Sequence, residues 1–350
     1  MSLFSLSASK PADVEIANPP SDSISALAWS PTADLLAAAS WSNEVRVYEV
    51  GLNGANQGKA MYSHEGPALC AKWSKDGTKI VSGGADNAAR MFDAGSGQST
   101  QIGAHDAPIK CIDWIDVGGG LVVTGSWDKT LRYWDLRQQA PVVQVTLPER
   151  CYAMDCVYPL LVVGTAERHM QIFNLNNPGT AFKTITSPLR MQTRTLACLP
   201  DASGYVLASI EGRCAIQYVE DSNTSLNFSF KCHRKDMAKG SQTFGSQFKT
   251  GSQQVFAVND LAFNSMGTFV TAGSDGTLNI WDHNSRTRLK TIVDVGGPVV
   301  AARFNHSSQY LAYAISYDWS QGYQGNTAAQ KTKIMLHPCQ EDEVKPKVKK

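Results

Sequence analysis

Two residue sets in this chain have the composition of acid–base chemistry: His64, Ser82 and Asp86, and then His105, Ser126 and Asp128. A buried His–Asp–Ser set is what a nucleophilic triad needs, with a histidine to take the serine proton and a carboxylate to orient the ring. Here the set is written twice, its histidines 41 residues apart and in register with the same repeat. A unique active site would not be duplicated in this way, so both sets read as structural hydrogen-bond networks. Such networks are costly when half made, and Asp128→Ala is expected to destabilise the fold rather than abolish a reaction. The eight cysteines stand singly, without CxxC pairs or Cys/His zinc spacing. Cys70, Cys111, Cys156, Cys198 and Cys214 fall in predicted strands, where a reduced thiol packs as a small apolar group, as in a reducing compartment. No metal and no cofactor is expected.

The elements that would position these residues follow from a repeat. Seven triplets of small or apolar character end in Trp, Cys or Phe: Leu27-Ala28-Trp29, Ala71-Lys72-Trp73, Ile112-Asp113-Trp114, Met154-Asp155-Cys156, Leu196-Ala197-Cys198, Leu261-Ala262-Phe263 and Ala302-Arg303-Phe304. Their last residues are 44, 41, 42, 42, 65 and 41 apart. A period of about 40–45 residues is that of a β-propeller with four strands per blade. The expected fold is therefore all-β, a seven-bladed WD40 β-propeller over residues 21–340. Each blade depends on its neighbours for its core, and 43% apolar residues suffice for a large one. Residues 1–20 hold a short alternating segment, Asp13-Val14-Glu15-Ile16, expected to close the ring as the outer strand of blade 7; the alternative is a disordered arm. Residues 341–350 read as a basic tail, which is compatible with a short nuclear-import or nucleic-acid patch.

A second register supports the first. Asp86 precedes Phe92 by six residues, Asp128 precedes Trp134, and Asp275 precedes Trp281. The offset places a tight turn between second and third strands, where a short Asp accepts backbone N–H bonds. Blade 3, with His105, Thr124-Gly125-Ser126, Asp128 and Trp134-Asp135, is closest to the WD-repeat pattern. In proteins of that pattern, His, Ser/Thr, Asp and Trp join one buried network.

The places where the period breaks are the candidates for function. The 65-residue step before blade 6 carries about 23 extra residues. Within positions 225–250, Lys231, Arg234, Lys235, Lys239 and Lys249 face only Asp236, with Phe228, Phe230 and Phe244 interleaved. This composition suits stacking and phosphate contact with single-stranded nucleic acid, and equally the docking of an acidic peptide. A binding role is assigned to Phe230, Lys231, His233 and Arg234, and Gly240–Gln253 reads as a plain loop. In blade 7, Tyr317-Asp318-Trp319-Ser320 sits at the second turn, but the next strand comes about 12 residues late. Asp318 takes the turn position, and Trp319 either caps the blade or faces a ligand. Arg286, Arg288 and Lys290 alternate along an outer strand and so share one face, which a plain reading makes solvated.

These segments resemble one WD-repeat family closely, the nuclear-pore mRNA export factors of the Rae/Gle type. The resemblance rests on Phe230-Lys231-Cys232-His233-Arg234, Ala257-Val258-Asn259, Gly273-Ser274-Asp275-Gly276 with Trp281-Asp282, Thr287-Arg288-Leu289-Lys290-Thr291, Phe304-Asn305-His306 and Ser316-Tyr317-Asp318-Trp319-Ser320. It runs from about Asp22 to the basic tail. It implies a protein that binds a short motif of a Phe-Gly-repeat nucleoporin, as the propeller half of a heterodimer, and helps messenger ribonucleoprotein through the pore. It also implies contact with single-stranded RNA and a place at the nuclear envelope with shuttling to the cytoplasm. Carried over, Arg213 stands at the blade 5 turn on the partner-binding face, and Phe230, Lys231, Trp281, Asp282, Arg286 and Arg288 form a rim patch. The Gly/Ser/Gln loop after Arg234 departs from the family's pattern.

The leading function is thus a non-enzymatic adaptor in mRNA export. The alternative is a mitotic-checkpoint kinetochore adaptor, from a sister WD family that binds a related motif. Direct RNA binding is a third class, although a net charge of +1 supplies no global field for it. An enzyme is the weakest class, lacking a phosphate-binding Gly loop, metal-ligand spacing or a unique nucleophile–base pair. Residues 1–9 have no basic, apolar pattern of a signal peptide, and no apolar run reaches the length of about 18 residues that spans a bilayer.

Overall fold

The computed structural model describes residues 12–237, 242–243, 246–247, 252–327 and 330–347. Phe244, Lys239 and Lys249 of the basic-aromatic insertion lie outside the described residues, as do residues 1–11 and most of the Gly/Ser/Gln loop. Seven four-stranded antiparallel sheets follow one another along the chain. Blade 1 runs Ile24–Trp29, Leu35–Ser40, Glu44–Val50 and Asn56–Ser63, and blades 2 to 6 repeat that order. The seven-bladed WD-repeat propeller expected from the period is what the chain forms. No helix among the described residues is long and apolar enough to cross a membrane.

Inner strands are buried on both faces because each blade stacks on the next, which is why they read as runs of small and apolar residues rather than as alternation. One core cluster joins Ala37, Ala39 and Val45 of blade 1 to Trp73, Ile80 and Phe92 of blade 2. The triplets that mark the period have a job at these joints. Trp73 donates its indole N–H to the carbonyl of Ala28 in the preceding blade (3.0 Å), and Trp29 donates to that of Arg303 (3.0 Å). Cys198 places its Sγ 3.3 Å from the carbonyl of Asp155 in the same way. The last residue of one triplet thus bonds the middle residue of the one before.

The ring closes as the sequence suggests. Val14–Glu15 pairs with Lys333–Pro338 as the outer strand of blade 7, Val14 opposite Leu336. Ile16 is 1% exposed, in a cluster shared by blades 1 and 7. Tyr48 and Arg46 of blade 1 donate to the carbonyl of Asn18 (2.9 and 3.0 Å). The basic tail is less separate than expected. Glu341–Val344 forms a helical turn capped reciprocally by Gln340 and Glu343, and Val344 is buried between blades 6 and 7. The last three residues, Val348, Lys349 and Lys350, lie outside the described residues.

Candidate partner-binding surfaces

The triad-like sets are structural. In blade 3 the indole of Trp134 donates to Thr124 Oγ1 (2.8 Å), Thr124 meets His105 Nε2 (2.7 Å), and His105 Nδ1 meets Asp128 Oδ2 (2.8 Å). The carboxylate can only accept, so the ring carries its proton on Nδ1 and Nε2 accepts from Thr124. Burial lowers the His105 imidazole below its ordinary range, which keeps it neutral. Burial also works to raise Asp128, but hydrogen bonds from Thr130, His105 and the Asp106 N–H outweigh it and hold the carboxyl low. Ser126 is not the network hydroxyl: its Oγ donates to the carbonyls of Ala107 and Pro108, at 3.0 Å each, and the network position belongs to Thr124.

Blade 2 repeats the relay with a substitute. Phe92 has no donor, but Tyr62 stacks on it at 4.9 Å and delivers its hydroxyl to Ser82 Oγ (2.9 Å), which meets His64 Nε2 (2.8 Å). His64 Nδ1 lies 3.1 Å from Asp86. Blade 6 supplies a third copy through Trp281, Thr271, His233 and Asp275, with contacts of 3.0, 2.8 and 2.8 Å. His233 therefore does not face a partner. It is 4% exposed, and a Cβ on Gly273 would collide with its Nδ1, so only glycine lets the ring in.

In all seven blades the N–H just after the second strand bonds a carbonyl just before the first: Trp41 to Ser23, Ala85 to Pro67, Trp127 to Pro108, Ala166 to Arg150, Ile210 to Gln192, Ser274 to Ala257 and Ser316 to Pro298. The second turns and the blade-to-blade connections hence share one end of the ring. On that end three tryptophans stand in turns with their rings exposed: Trp41 (40%), Trp127 (38%) and Trp319 (42%). Together with Tyr152, Tyr317, Lys110, Arg150 and Arg194 they line a depression of about 460 Å³ at the mouth of the central channel. Trp319 packs on Trp41 at 5.9 Å and on Tyr317 at 5.6 Å. Its backbone has φ +61, a left-handed conformation unfavourable for a bulky residue. Asp318 beside it is 6% exposed and accepts from the Ser320 N–H (3.1 Å), so it shapes the loop from within.

Arg213 opens the third strand of blade 5 at this end, its side chain 33% exposed and 4.0 Å from Glu211. Across the ladder it lies directly opposite Lys231. Arg234 is committed elsewhere: its guanidinium donates to the carbonyls of Glu211 (2.8 Å) and Gly212 (3.4 Å) and braces the turn that carries Arg213. That turn requires Gly212, with φ +61, where a Cβ would lie 2.7 Å from the Cys232 carbonyl.

The rim residues gather around a cleft of about 160 Å³ between blades 5 and 6, lined by Phe228, Phe230, Lys231, Trp281, Asp282 and Arg286, among others. Phe230 meets Trp281 at 4.7 Å, and the Arg286 guanidinium lies over Phe228 at 4.4 Å. The alternating stripe is only partly regular: Arg286 stands in the turn before the outer strand Thr287–Ile292, Arg286 and Arg288 are exposed, and Lys290 is half-buried. A bulge opposite Trp281 breaks the alternation, Arg288 turns over Trp281 (5.9 Å), and Lys290 pairs with Glu343 (2.9 Å). Asp282 is 2% exposed. Sequence reasoning missed Trp41, Trp127 and Arg194; a tryptophan in a turn between polar residues, as in Ser40-Trp41-Ser42 and Ser126-Trp127-Asp128, was the available signal. No group of three side chains able to hold a metal ion occurs among the described residues.

Two family descriptions match: "WD domain, G-beta repeat" over residues 245–282, and "Anaphase-promoting complex subunit 4 WD40 domain" over residues 27–117. Full-length similarity is more informative. The chain is 51% identical to the Poly(A)+ RNA export protein of Schizosaccharomyces pombe, across 97% of this chain and 94% of that protein. It is 50% identical to the mRNA export factor GLE2 of Chaetomium thermophilum, across 96% and 92%. To Protein Rae1 of Drosophila melanogaster it is 42% identical, across 96% of each.

Proposed function

The chain belongs to the Rae1/Gle2 family of WD-repeat mRNA export factors, and from this we propose that it is a non-enzymatic adaptor that grips a short acidic motif of a Phe-Gly-repeat nucleoporin on its tryptophan-bearing face. As one half of that heterodimer it serves messenger ribonucleoprotein at the nuclear pore and shuttles to the cytoplasm. The observation that carries the reading is the composition of that face: three exposed tryptophans beside Lys110, Arg150 and Arg194, with Arg213 set opposite Lys231. Exposed tryptophans and arginines are the side chains that dominate binding energy at protein interfaces. Two cations facing each other across a ladder repel, and an acidic partner relieves both. The kinetochore alternative lacks the support that the relatives' names give to export.

Isothermal titration of the full chain with an acidic nucleoporin segment tests this. Arg213→Ala should weaken binding by about tenfold, and Arg213→Glu by a further factor of about a hundred, because the reversed charge repels the partner. Equal affinities for the two variants would remove Arg213 from the contact, and no binding by the wild-type chain would remove the reading. The RNA component predicts a steep loss of affinity for single-stranded RNA with added salt as phosphate contacts release counterions; a flat dependence counts against it.

A further inference from the structure

The wall of the blade 5–6 cleft hangs on one buried carboxylate. Asp282 accepts from the N–H groups of Asn284 (2.9 Å) and Ser285 (3.3 Å) and from the Ser285 hydroxyl (2.7 Å). These bonds form the turn that ends at Arg286, whose backbone is held at φ +54. A fourth donor comes from far along the chain: the backbone N–H of Lys347, at 3.0 Å. Lys347 reaches Asp282 because the segment before it is anchored along blade 6. Val344 is 1% exposed, and its carbonyl accepts from the Thr268 hydroxyl (2.6 Å) and the Asn264 amide (3.3 Å) in the first turn of that blade. Glu343, 3% exposed, pairs with Lys290 on the outer strand.

We propose that Glu341–Lys347 is an intramolecular latch that sets the shape of the blade 5–6 cleft. Docked, it completes the coordination of Asp282 and so fixes Trp281 and Arg286, the apolar and cationic walls. Released, it leaves a buried carboxylate one donor short, and the turn loses its reference point.

A clasp holds the latch. His337 presents Nδ1 to Asp13 (2.7 Å) and Nε2 to Glu343 (3.1 Å). Both neighbours are carboxylates, so only the doubly protonated ring satisfies both bonds. The other titratable groups facing this site are Tyr313, whose hydroxyl donates to Asp13, Lys290 on the far side of Glu343, and Cys339, whose Sγ contacts the His337 carbonyl. Burial works against the charged ring, but the hydrogen bonds to Asp13 and Glu343 outweigh it and raise its pKa above the ordinary value. The clasp ties the latch to the closing strand, so the two ends of the propeller are held as one unit.

Amide hydrogen exchange followed by mass spectrometry, at one fixed pH, tests the latch without needing a partner. The full chain is compared with a chain ending at Gln340 and with the milder Val344→Ser. Exchange across residues 280–290 should accelerate at least tenfold in the shortened chain and in the same direction in Val344→Ser, with blades 2 and 3 unchanged. Unchanged exchange at 280–290 in Val344→Ser would overturn the proposal. So would equal acceleration in every blade, since that is a general loss of stability. If the shortened chain does not fold, the Val344→Ser comparison alone decides.

Discussion

At the scale of single residues, the buried relays decide most of what a substitution does. Thr124 both receives the Trp134 indole N–H and serves His105, and it is wholly buried. Thr124→Val keeps the shape but leaves an indole donor and an imidazole acceptor without partners in a dry site, which should cost about 2–4 kcal/mol. Ser126→Ala interrupts only hydroxyl bonds to backbone and should cost about 1 kcal/mol. Urea-denaturation midpoints of the two variants check this, and a Ser126 effect equal to that of Thr124 would contradict the assignment. The sequence showed that such a relay existed, through the recurrence of His, Ser/Thr and Asp. It did not show which hydroxyl of Thr124-Gly125-Ser126 faces the ring, because that depends on the register of one strand against the next. His233 was harder still: it stands beside the insertion that breaks the period, and its partner Thr271 is 38 residues away. Tyr62 could be found only by asking where blade 2, with Phe92 in place of tryptophan, obtains its donor.

At the scale of elements, the closing strand and the latch share a titratable group. The folded pKa of His337 lies above the ordinary histidine value of about 6.5. Its contribution to stability is therefore complete below about pH 6.5 and fades as pH rises through the folded value. His64 and His105 run the other way: burial depresses them, so their contribution is present above about pH 6.5 and is lost as pH falls. The wild-type pH profile mixes these opposing effects, and a difference isolates one. The melting temperature of His337→Gln should fall further below wild type at pH 6 than at pH 8.5; an equal gap at both would mean the ring is not charged in the clasp. The closing strand was legible because Asp13-Val14-Glu15-Ile16 alternates just before blade 1. The latch was legible only as a basic tail. Its acidic, capped turn, Gln340-Glu341-Asp342-Glu343-Val344, precedes the lysines, and the burial of Val344 depends on a surface of blade 6 that no local pattern reveals.

At the scale of the whole molecule, the ring is held at its axis by charge as well as by stacking. The channel encloses about 400 Å³. Into it Lys72 of blade 2 reaches Asp113 of blade 3 and Asp155 of blade 4, at 3.1 Å each. Opposite, Arg303 of blade 7 pairs with Asp260 of blade 6. Four of these five residues, Lys72, Asp113, Asp155 and Arg303, are middle residues of the sequence triplets. The repeat that marked the fold therefore also placed a charged belt at one height around the axis. Burial works against the Lys72 ammonium, yet the two carboxylates raise its pKa, while burial pushes Asp113 up. Lys72→Met leaves two carboxylates facing each other and should cost about 3 kcal/mol at neutral pH, reduced from the dry-pair value because the Lys72 side chain is 33% exposed to solvent. Adding Asp113→Asn and Asp155→Asn should restore most of the loss in the melting temperature; no recovery would mean that packing of the lysine stem, not its charge, matters.

The pairing of Val14 with Leu336 has a consequence for biosynthesis. The two strands of that pair leave the ribosome about 320 residues apart. Until the later one emerges, the nascent chain is an open arc whose first blade displays the flank that Ile16, Leu36 and Tyr48 will bury. A chaperone that shields this flank during translation would guard the one interface the growing polypeptide cannot yet make for itself.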